Sequence, residues 1–228
     1  MGRVHLSTVL EQAKVKPEAQ YVVFYSADGY SVAIPLEVAL REGTILAYRM
    51  NGEDLTSIHG FPLRAIVPGI YGMMNAKWIR RIELVAHEYV GYWQTRGWSK
   101  TAKIETTSAI RIPQSGMTLS EATPIAGIAF SGDRGISKVE VSTDGGETWN
   151  EALKKDPLSK YTWILWATEW IPTKDGLTRL MVRATDNNGD VQTSSIRGTF
   201  PDGATGYHVI DVLIDTDEKS KKTAQTKQ

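Results

Sequence analysis

The sequence predicts an α+β protein in which a region of mixed α and β elements is followed by an all-β sandwich. Three observations carry that expectation. The chain has 228 residues, 41% of them hydrophobic, which suits two domains better than one. Its first part alternates a helix-spaced pattern with β-rich runs. From roughly Ile104 onward helical periodicity disappears, and short alternating strands recur at intervals of about ten residues, the spacing expected of a sandwich. The boundary is placed near residue 102, giving a first region over 1–102, a sandwich over 103–214 and a tail over 215–228.

Leu6, Val9, Leu10 and Ala13 fall on one helical face before Lys16-Pro17 stops the pattern, which predicts a short amphipathic helix. The run YVVFY, Tyr21 to Tyr25, predicts a strand, and Asp28-Gly29 turns it into SVAIP. A second short helix is expected from about Pro35 to a stop at Gly43. ILAYRM, Ile45 to Met50, reads as a strand ended by Asn51-Gly52, and PLRAIV and WIRRIELV read as two more.

In the second region KVEVS places Val139 and Val141 on one face with Glu140 and Ser142 on the other. LMVRA alternates Leu180, Val182 and Ala184 with Met181 and Arg183. Asp144-Gly145-Gly146 and Asn187-Asn188-Gly189-Asp190 supply residues that tolerate positive φ at hairpin turns. DTDEKSKKTAQTKQ at the end has too little apolar surface to offset the cost of ordering, so a disordered tail is expected.

Composition excludes several classes. The 26 basic and 26 acidic residues cancel, and no Lys/Arg cluster interleaves with aromatics, so no nucleic-acid partner is expected. No apolar run approaches the roughly 20 residues of a membrane span, and MGRVHLSTVLEQAKV lacks the charged head and apolar centre of a signal peptide. The absence of cysteine rules out disulfides, thiolate metal ligands and cysteine nucleophiles within the chain.

STDGGETW, Ser142 to Trp149, fits the hairpin pattern that recurs in sialidase-type propellers. A propeller needs the motif once per blade, and it occurs here once. The structural reading is that Asp144 bonds amides of its own turn while Trp149 folds back onto the hairpin. A sugar-binding or hydrolase role would need paired carboxylates, which the sequence does not place.

The stretch LAYRMNGEDLTSIHGFPLRAIVPGIYGMMNAKWIRRIELV, Leu46 to Val85, contains AY-x-MNG, HGFPLR, PG-x-x-G and KW in that order. It closely resembles the C-terminal part of the molybdenum-cofactor domain of the sulfite oxidase family. The region from about Ile104 to Ile214, including AFSGDRGISKVEVSTDGGETW and YTWILWATEW, resembles that family's C-terminal immunoglobulin-like domain, usually its dimerisation domain. The resemblance implies a partial mixed α/β molybdopterin-binding domain, a molybdenum-molybdopterin cofactor and a homodimer formed through the sandwich. It also implies that His59, Arg64 and the backbone and side chains of Asn75, Ala76 and Lys77 contact the pterin and its phosphate. The residue chemistry suits this, because a phosphate needs fixed cationic donors and a pterin needs planar ones. Taken singly, each residue has a plainer role: His59 capping a turn, Arg64 as a surface cation, Lys77 lying along an apolar face beside Trp78.

The resemblance implies further that the metal is held by two cofactor sulfurs and one protein cysteine from a segment before the portion represented here. This leaves three readings: a piece of a longer enzyme, which is favoured; a subunit completed by another chain; or a cofactor-free relative. A missing N-terminal half or a redox partner is a further expected partner, and neither a metal ligand nor a catalytic residue is assigned within the chain. In animal members of the family an active-site tyrosine follows the KW motif after a Trp-Gln pair. Here GYWQTRGWS puts Trp98 at about that place, and an indole cannot act as a phenol does. The expected activity is oxygen-atom transfer or related two-electron chemistry, absent from the isolated chain. A full-length form could be extracytoplasmic or membrane-tethered. The alternative is a non-catalytic binding or assembly module, in which Trp163, Trp166 and Trp170 form a partner surface, although two of the three suit the core better.

Overall fold

The computed structural model describes residues 2–216, so the expected tail lies, apart from Asp215 and Thr216, outside the described residues. The chain divides into two compact units. One runs to Ile104 and takes in Phe200–Gly203; the other comprises Glu105–Thr199 and the chain from Ala204.

The first unit contains β1 (Arg3–His5), α1 (Leu6–Ala13), β2 (Tyr21–Ser26), β3 (Ser31–Pro35), α2 (Leu36–Ala39), β4 (Ile45–Ala47), β5 (Arg49–Met50), β6 (Glu53–Asp54), β7 (Arg64–Ile66) and β8 (Ile79–Val85). Two three-stranded antiparallel sheets, β1-β4-β7 and β3-β2-β8, account for most of it. In β2 the successive residues Val22, Val23 and Phe24 are all buried, as are Val32, Ala33 and Ile34 in β3. Unbroken apolar runs of this kind bury both faces of a sheet. Helix α1 buries Leu6 and Leu10 at helical spacing and stops at Lys14, whose φ of 54° lets its N–H bond the Glu11 carbonyl. Leu6, Leu10, Phe24, Ile34 and Met74 meet in one core, and each side chain of this size contributes about 1.5–3 kcal/mol on burial.

Two elements depart from the sequence reading. The run Ile45 to Met50 is two strands, because the Tyr48 and Arg49 amides both turn to the Gly2 carbonyl. Beyond that break, Arg49 pairs with Asp54 and Met50 with Glu53 across Asn51-Gly52, whose φ values of 55° and 86° make the tight hairpin that this dipeptide favours. Helix α2 covers only Leu36–Ala39 instead of continuing to Gly43; the Thr44 hydroxyl reaches back to the Val38 carbonyl at 2.7 Å and ends it. The described chain is therefore mostly β, with less helix than a mixed α and β reading implies.

The second unit contains β9 (Thr107–Ile112), β10 (Thr118–Leu119), β11 (Thr123–Phe130), β12 (Ile136–Ser142), β13 (Asn150–Glu151), β14 (Leu153–Lys154), β15 (Ile164–Trp170), β16 (Gly176–Asp186) and β17 (His208–Ile214). They form a five-stranded sheet, β10-β17-β16-β12-β13, and a four-stranded sheet, β14-β15-β11-β9. Val139 and Val141 of β12 and Leu180, Val182 and Ala184 of β16 are buried, as their alternation requires. They pack with Ile125 and Ala129 of β11 and Ile164 and Trp166 of β15 into one core between the sheets.

Gly127 marks a register shift between β11 and β9. A Cβ there would lie 1.9 Å from the Ala109 carbonyl oxygen and 2.6 Å from the Trp166 ring, so the backbones approach too closely for any side chain. Gly127→Ala is expected to destabilise this unit by about 1–3 kcal/mol or more, the range for overpacking, in urea unfolding followed by tryptophan fluorescence. An unchanged midpoint would contradict the close approach.

The Ser142–Trp149 hairpin is held by its own side chains. Asp144 accepts bonds from the Thr148 hydroxyl, from the Thr148 amide at 3.0 Å and from the Ser142 hydroxyl at 2.7 Å, and the Trp149 indole donates to the Gly146 carbonyl at 3.1 Å. The Thr148 hydroxyl and amide hold the Asp144 carboxyl far below its ordinary value. A depressed folded value means that the unfolded chain takes up the proton first as pH falls. The stabilisation is thus present above about pH 4 and is lost on acidification. In thermal melts from about pH 5 down to pH 2, Asp144→Asn should show a shallower loss of stability than the parent; parallel curves would contradict this.

Candidate functional site

Two segments of the first unit run side by side and carry the residues singled out in the sequence. One is the turn Ser57–His59 followed by Gly60 and β7; the other leads from the turn Gly72–Met74 through Asn75, Ala76, Lys77 and Trp78 into β8. Backbone bonds lace them together: Ala65 N–H to Ala76 at 2.8 Å, Ile79 N–H to Leu63 at 2.9 Å and Trp78 N–H to Gly60 at 3.3 Å. Trp78 sits at φ 52°, a conformation unusual for a bulky residue, and its indole donates to the Ser57 carbonyl at 2.6 Å. Such backbone persists where its surroundings fix it, and it concentrates at functional sites.

Gly60 shows how tightly the segments converge. Its φ is 103°, and a Cβ on it would lie 3.1 Å from the Arg64 Cβ and 3.0 Å from the Lys77 Cβ. Both cationic side chains then return to the same turn. Arg64 Nη1 donates to the His59 carbonyl at 3.2 Å, and Lys77 Nζ donates to the Ile58 carbonyl at 2.8 Å. Among the described residues no carboxylate forms an ion pair with either cation. Arg64 is half-buried, and its Nε is buried without a hydrogen-bond acceptor. Burial lowers the pKa of its guanidinium, which nevertheless stays charged. Two like charges gathered at one turn, one with an unsatisfied buried donor, suit an anion.

The other predicted residues have different placements. His59 is exposed, and its main chain is bonded on both sides: its amide donates to the Thr56 carbonyl at 3.0 Å, and its carbonyl accepts from Arg64. The Asn75 side chain is occupied within the loop, accepting from the Val67 amide at 2.6 Å and donating to the Tyr71 carbonyl at 3.3 Å. Ala76 is buried in the core. Beyond Gly72, the residue that opens the second turn, there is open space where a Cβ would stand.

Further residues adjoin this turn, and of these the sequence analysis had singled out Trp98. Gln94 Nε2 donates to the Ser99 carbonyl at 2.9 Å and approaches Met74 Sδ at 3.3 Å, tying the 91–99 loop to the segment that delivers Asn75 to Lys77. Rings of Tyr30, Tyr92, Trp93, Trp98 and Phe200 follow one another at centroid separations of 5.1–6.1 Å. Trp98 lies edge-on between Trp93 and Phe200. Tyr30 donates its hydroxyl to the Met73 carbonyl, and burial pushes its phenol up to about 12. The aromatic density of GYWQTRGWS was the available signal; the partners Tyr30 and Phe200 are too distant in sequence to be linked to it.

Residues 2–93 match the family described as oxidoreductase molybdopterin binding domain, and residues 99–201 match the Mo-co oxidoreductase dimerisation domain. The mitochondrial sulfite oxidase of Rattus norvegicus is 32% identical over 225 residues, covering 84% of this chain and 41% of that protein. An uncharacterized oxidoreductase of Bacillus subtilis, YuiH, is 40% identical over 95 residues, covering 42% of this chain and 48% of that protein. Among solved structures, the sulfane dehydrogenase SoxCD of Paracoccus pantotrophus superposes with a TM-score of 0.71 at 26% identity, over 93% of this chain and 62% of that one. The chain thus spans about two fifths of the rat protein and about half of the bacterial one. These matches give the alternative of a non-catalytic module no support.

Proposed function

The chain belongs to the sulfite oxidase family of molybdopterin-dependent oxidoreductases, and from that premise we propose that it is the part of such an enzyme that holds the anionic end of the pterin and self-associates through its second unit. The reaction proposed for the complete enzyme is oxygen-atom transfer or a related two-electron exchange, with the two-electron chemistry supplied by the molybdenum that the pterin carries. This chain contributes no thiolate, and among the described residues no cluster of His, Asp and Glu could hold a metal ion, so its part is binding and orientation.

In this reading Arg64 and Lys77 would hold the phosphate of the cofactor by charge-assisted hydrogen bonds, and Arg64 Nε would be one of the donors. The Asn75 amide and side chain are both bonded within the loop and the Ala76 side chain is core, so contact from this stretch would fall to the main chain of Ala76 and to Lys77. His59, exposed at the same turn, would contact the pterin ring. Trp98 is wedged between Trp93 and Phe200 and offers an indole, so no phenol-dependent handling of substrate is assigned to that position.

The observation that carries the proposal is the buried Arg64 Nε without an acceptor, beside Lys77 and away from any carboxylate partner among the described residues. Each charge-assisted bond contributes about 1.5–3 kcal/mol, and loss of both cations should cut retention more than about tenfold. In the complete enzyme, Arg64→Ala/Lys77→Ala should lose molybdenum by metal analysis and pterin by fluorescence after release. Parental contents of both would contradict the proposal.

A further inference from the structure

The stretch that carries Asn75, Ala76 and Lys77 to the cation turn belongs to neither sheet until β8 begins at Ile79. A lysine delivered on irregular backbone is only as well placed as that backbone is held. The bonds made within the loop are of short range. The Met74 amide donates to Tyr71 at 3.0 Å, the Asn75 amide donates to Gly72 at 3.0 Å, and the Asn75 side chain closes onto Val67 and Tyr71. Two side chains reach the stretch from farther away. The Tyr30 hydroxyl donates to the Met73 carbonyl across 43 positions of sequence, and Gln94 Nε2 approaches Met74 Sδ at 3.3 Å.

Tyr30 is itself firmly seated. It closes the Asp28-Gly29 turn between β2 and β3, where its amide donates to Asp28 Oδ1 at 3.0 Å and its carbonyl accepts from the Ser26 amide at 2.9 Å. Its ring is half-buried against the core of the first unit and lies 5.9 Å from the ring of Tyr92. The 91–99 loop rests directly on β3 beside it: the Tyr92 amide donates to the Ser31 carbonyl at 2.9 Å, and a Cβ on Gly91 would lie 2.6 Å from that same oxygen. Because burial pushes the phenol up to about 12, its hydroxyl is a donor throughout the neutral range. Tyr89 gives a comparison from the same neighbourhood, since its half-buried hydroxyl donates to Ser31 Oγ at 2.8 Å.

We infer that Tyr30 is a positioning residue for the Arg64–Lys77 turn: by holding the Met73 carbonyl, its hydroxyl fixes the 72–77 stretch so that Lys77 is presented beside Arg64. The inference rests on the phosphate-holding role proposed above and adds the group that orders the turn in advance. Tyr30 acts through the backbone and needs no contact with the anion. Replacing it with phenylalanine keeps the ring and its packing but releases a peptide group four residues before Lys77. Binding must then supply the order that the hydroxyl provided, and affinity falls by that amount.

The test follows the Arg64 Nε–H resonance of the isotopically labelled full chain as methyl phosphate is added to the parent, Tyr30→Phe and Tyr89→Phe. Half of the shift should need about threefold more methyl phosphate, or greater, in Tyr30→Phe, as expected for the net contribution of one hydrogen bond. Tyr89→Phe, which loses a hydroxyl bonded to Ser31, should titrate like the parent. A second readout needs no substitution. In the parent the Tyr30 ring resonances should move with the same midpoint as Arg64 Nε–H, because coupling between two positions is reciprocal, while those of Tyr89 stay in place. Parental titration by Tyr30→Phe would overturn the inference, as would a stationary Tyr30 ring. Equal weakening in Tyr89→Phe would also overturn it, since that marks a general loosening. If the parental Arg64 resonance itself does not move, the phosphate-holding reading falls and this inference with it, which tells the two failures apart.

Discussion

Replacing Asp186 with alanine should lower the unfolding free energy of the second unit by about 3–5 kcal/mol, the cost of stranding a buried charge. The Asp186 side chain is 1% exposed and that of Arg134, its partner at 2.6 Å, is 11% exposed. The other carboxylate oxygen accepts the Asn188 amide at 2.9 Å and the Asp190 amide at 3.1 Å, closing the Asn187–Asp190 turn. Burial alone would push this carboxyl up, but the Arg134 guanidinium and those two amides outweigh it and hold the group below its ordinary value. Alanine removes the counter-charge and the turn's acceptor together, whereas Asp186→Asn keeps the shape and should fall between. Urea unfolding followed by tryptophan fluorescence measures this. A loss under about 1 kcal/mol for Asp186→Ala would show that Arg134 finds its stabilisation elsewhere.

Arg64→Met should separate stability from cofactor retention. In the cofactor-free chain the Arg64 Nε is a buried donor without an acceptor, and such a group costs about 1–3 kcal/mol. A methionine of similar length removes that cost while keeping the apolar contact of the side chain. The thermal midpoint of the isolated chain should therefore stay level or rise. In the complete enzyme the same substitution should reduce pterin content by about tenfold or more, because the charge-assisted bond is lost. A large drop in the midpoint of the isolated chain would mean that Arg64 serves the fold; unchanged pterin content would mean that it does not serve the cofactor. Natural sites often carry such a local cost to stability where function demands it.

Much of this was legible because the local signals agree with the packing. Period-two alternation in KVEVS and LMVRA gave the inward residues of β12 and β16, since one face of each strand meets the core. Asn51-Gly52 and the Ser142–Trp149 hairpin form from interactions within a few residues, so sequence alone carries them. The break at Tyr48 was not legible, because it depends on the Gly2 carbonyl some 46 residues earlier in the chain. Nor was the inward role of Asn75, whose side chain answers to Val67 and Tyr71. Arg64 and Lys77 could be named from their order in the sequence. Their return to one turn, over a glycine whose Cβ would stand 3.0–3.1 Å from both side chains, is a tertiary property that needed the coordinates. The outward placement of Leu165 and Ala167 was hidden for a related reason: ILWA at the start of β15 is apolar at inward and outward positions alike, so alternation could not separate core from surface.

The central claim is that the Arg64–Lys77 turn receives an anionic phosphate. Its most direct test is the Arg64 Nε–H resonance of the isotopically labelled chain, assigned by its loss in Arg64→Lys and followed as a phosphomonoester is added. The account predicts that this resonance moves downfield as the buried donor gains an acceptor, while the Nε–H of Arg179, already bonded to Asp211, stays in place. A stationary Arg64 resonance at saturating phosphomonoester would contradict it.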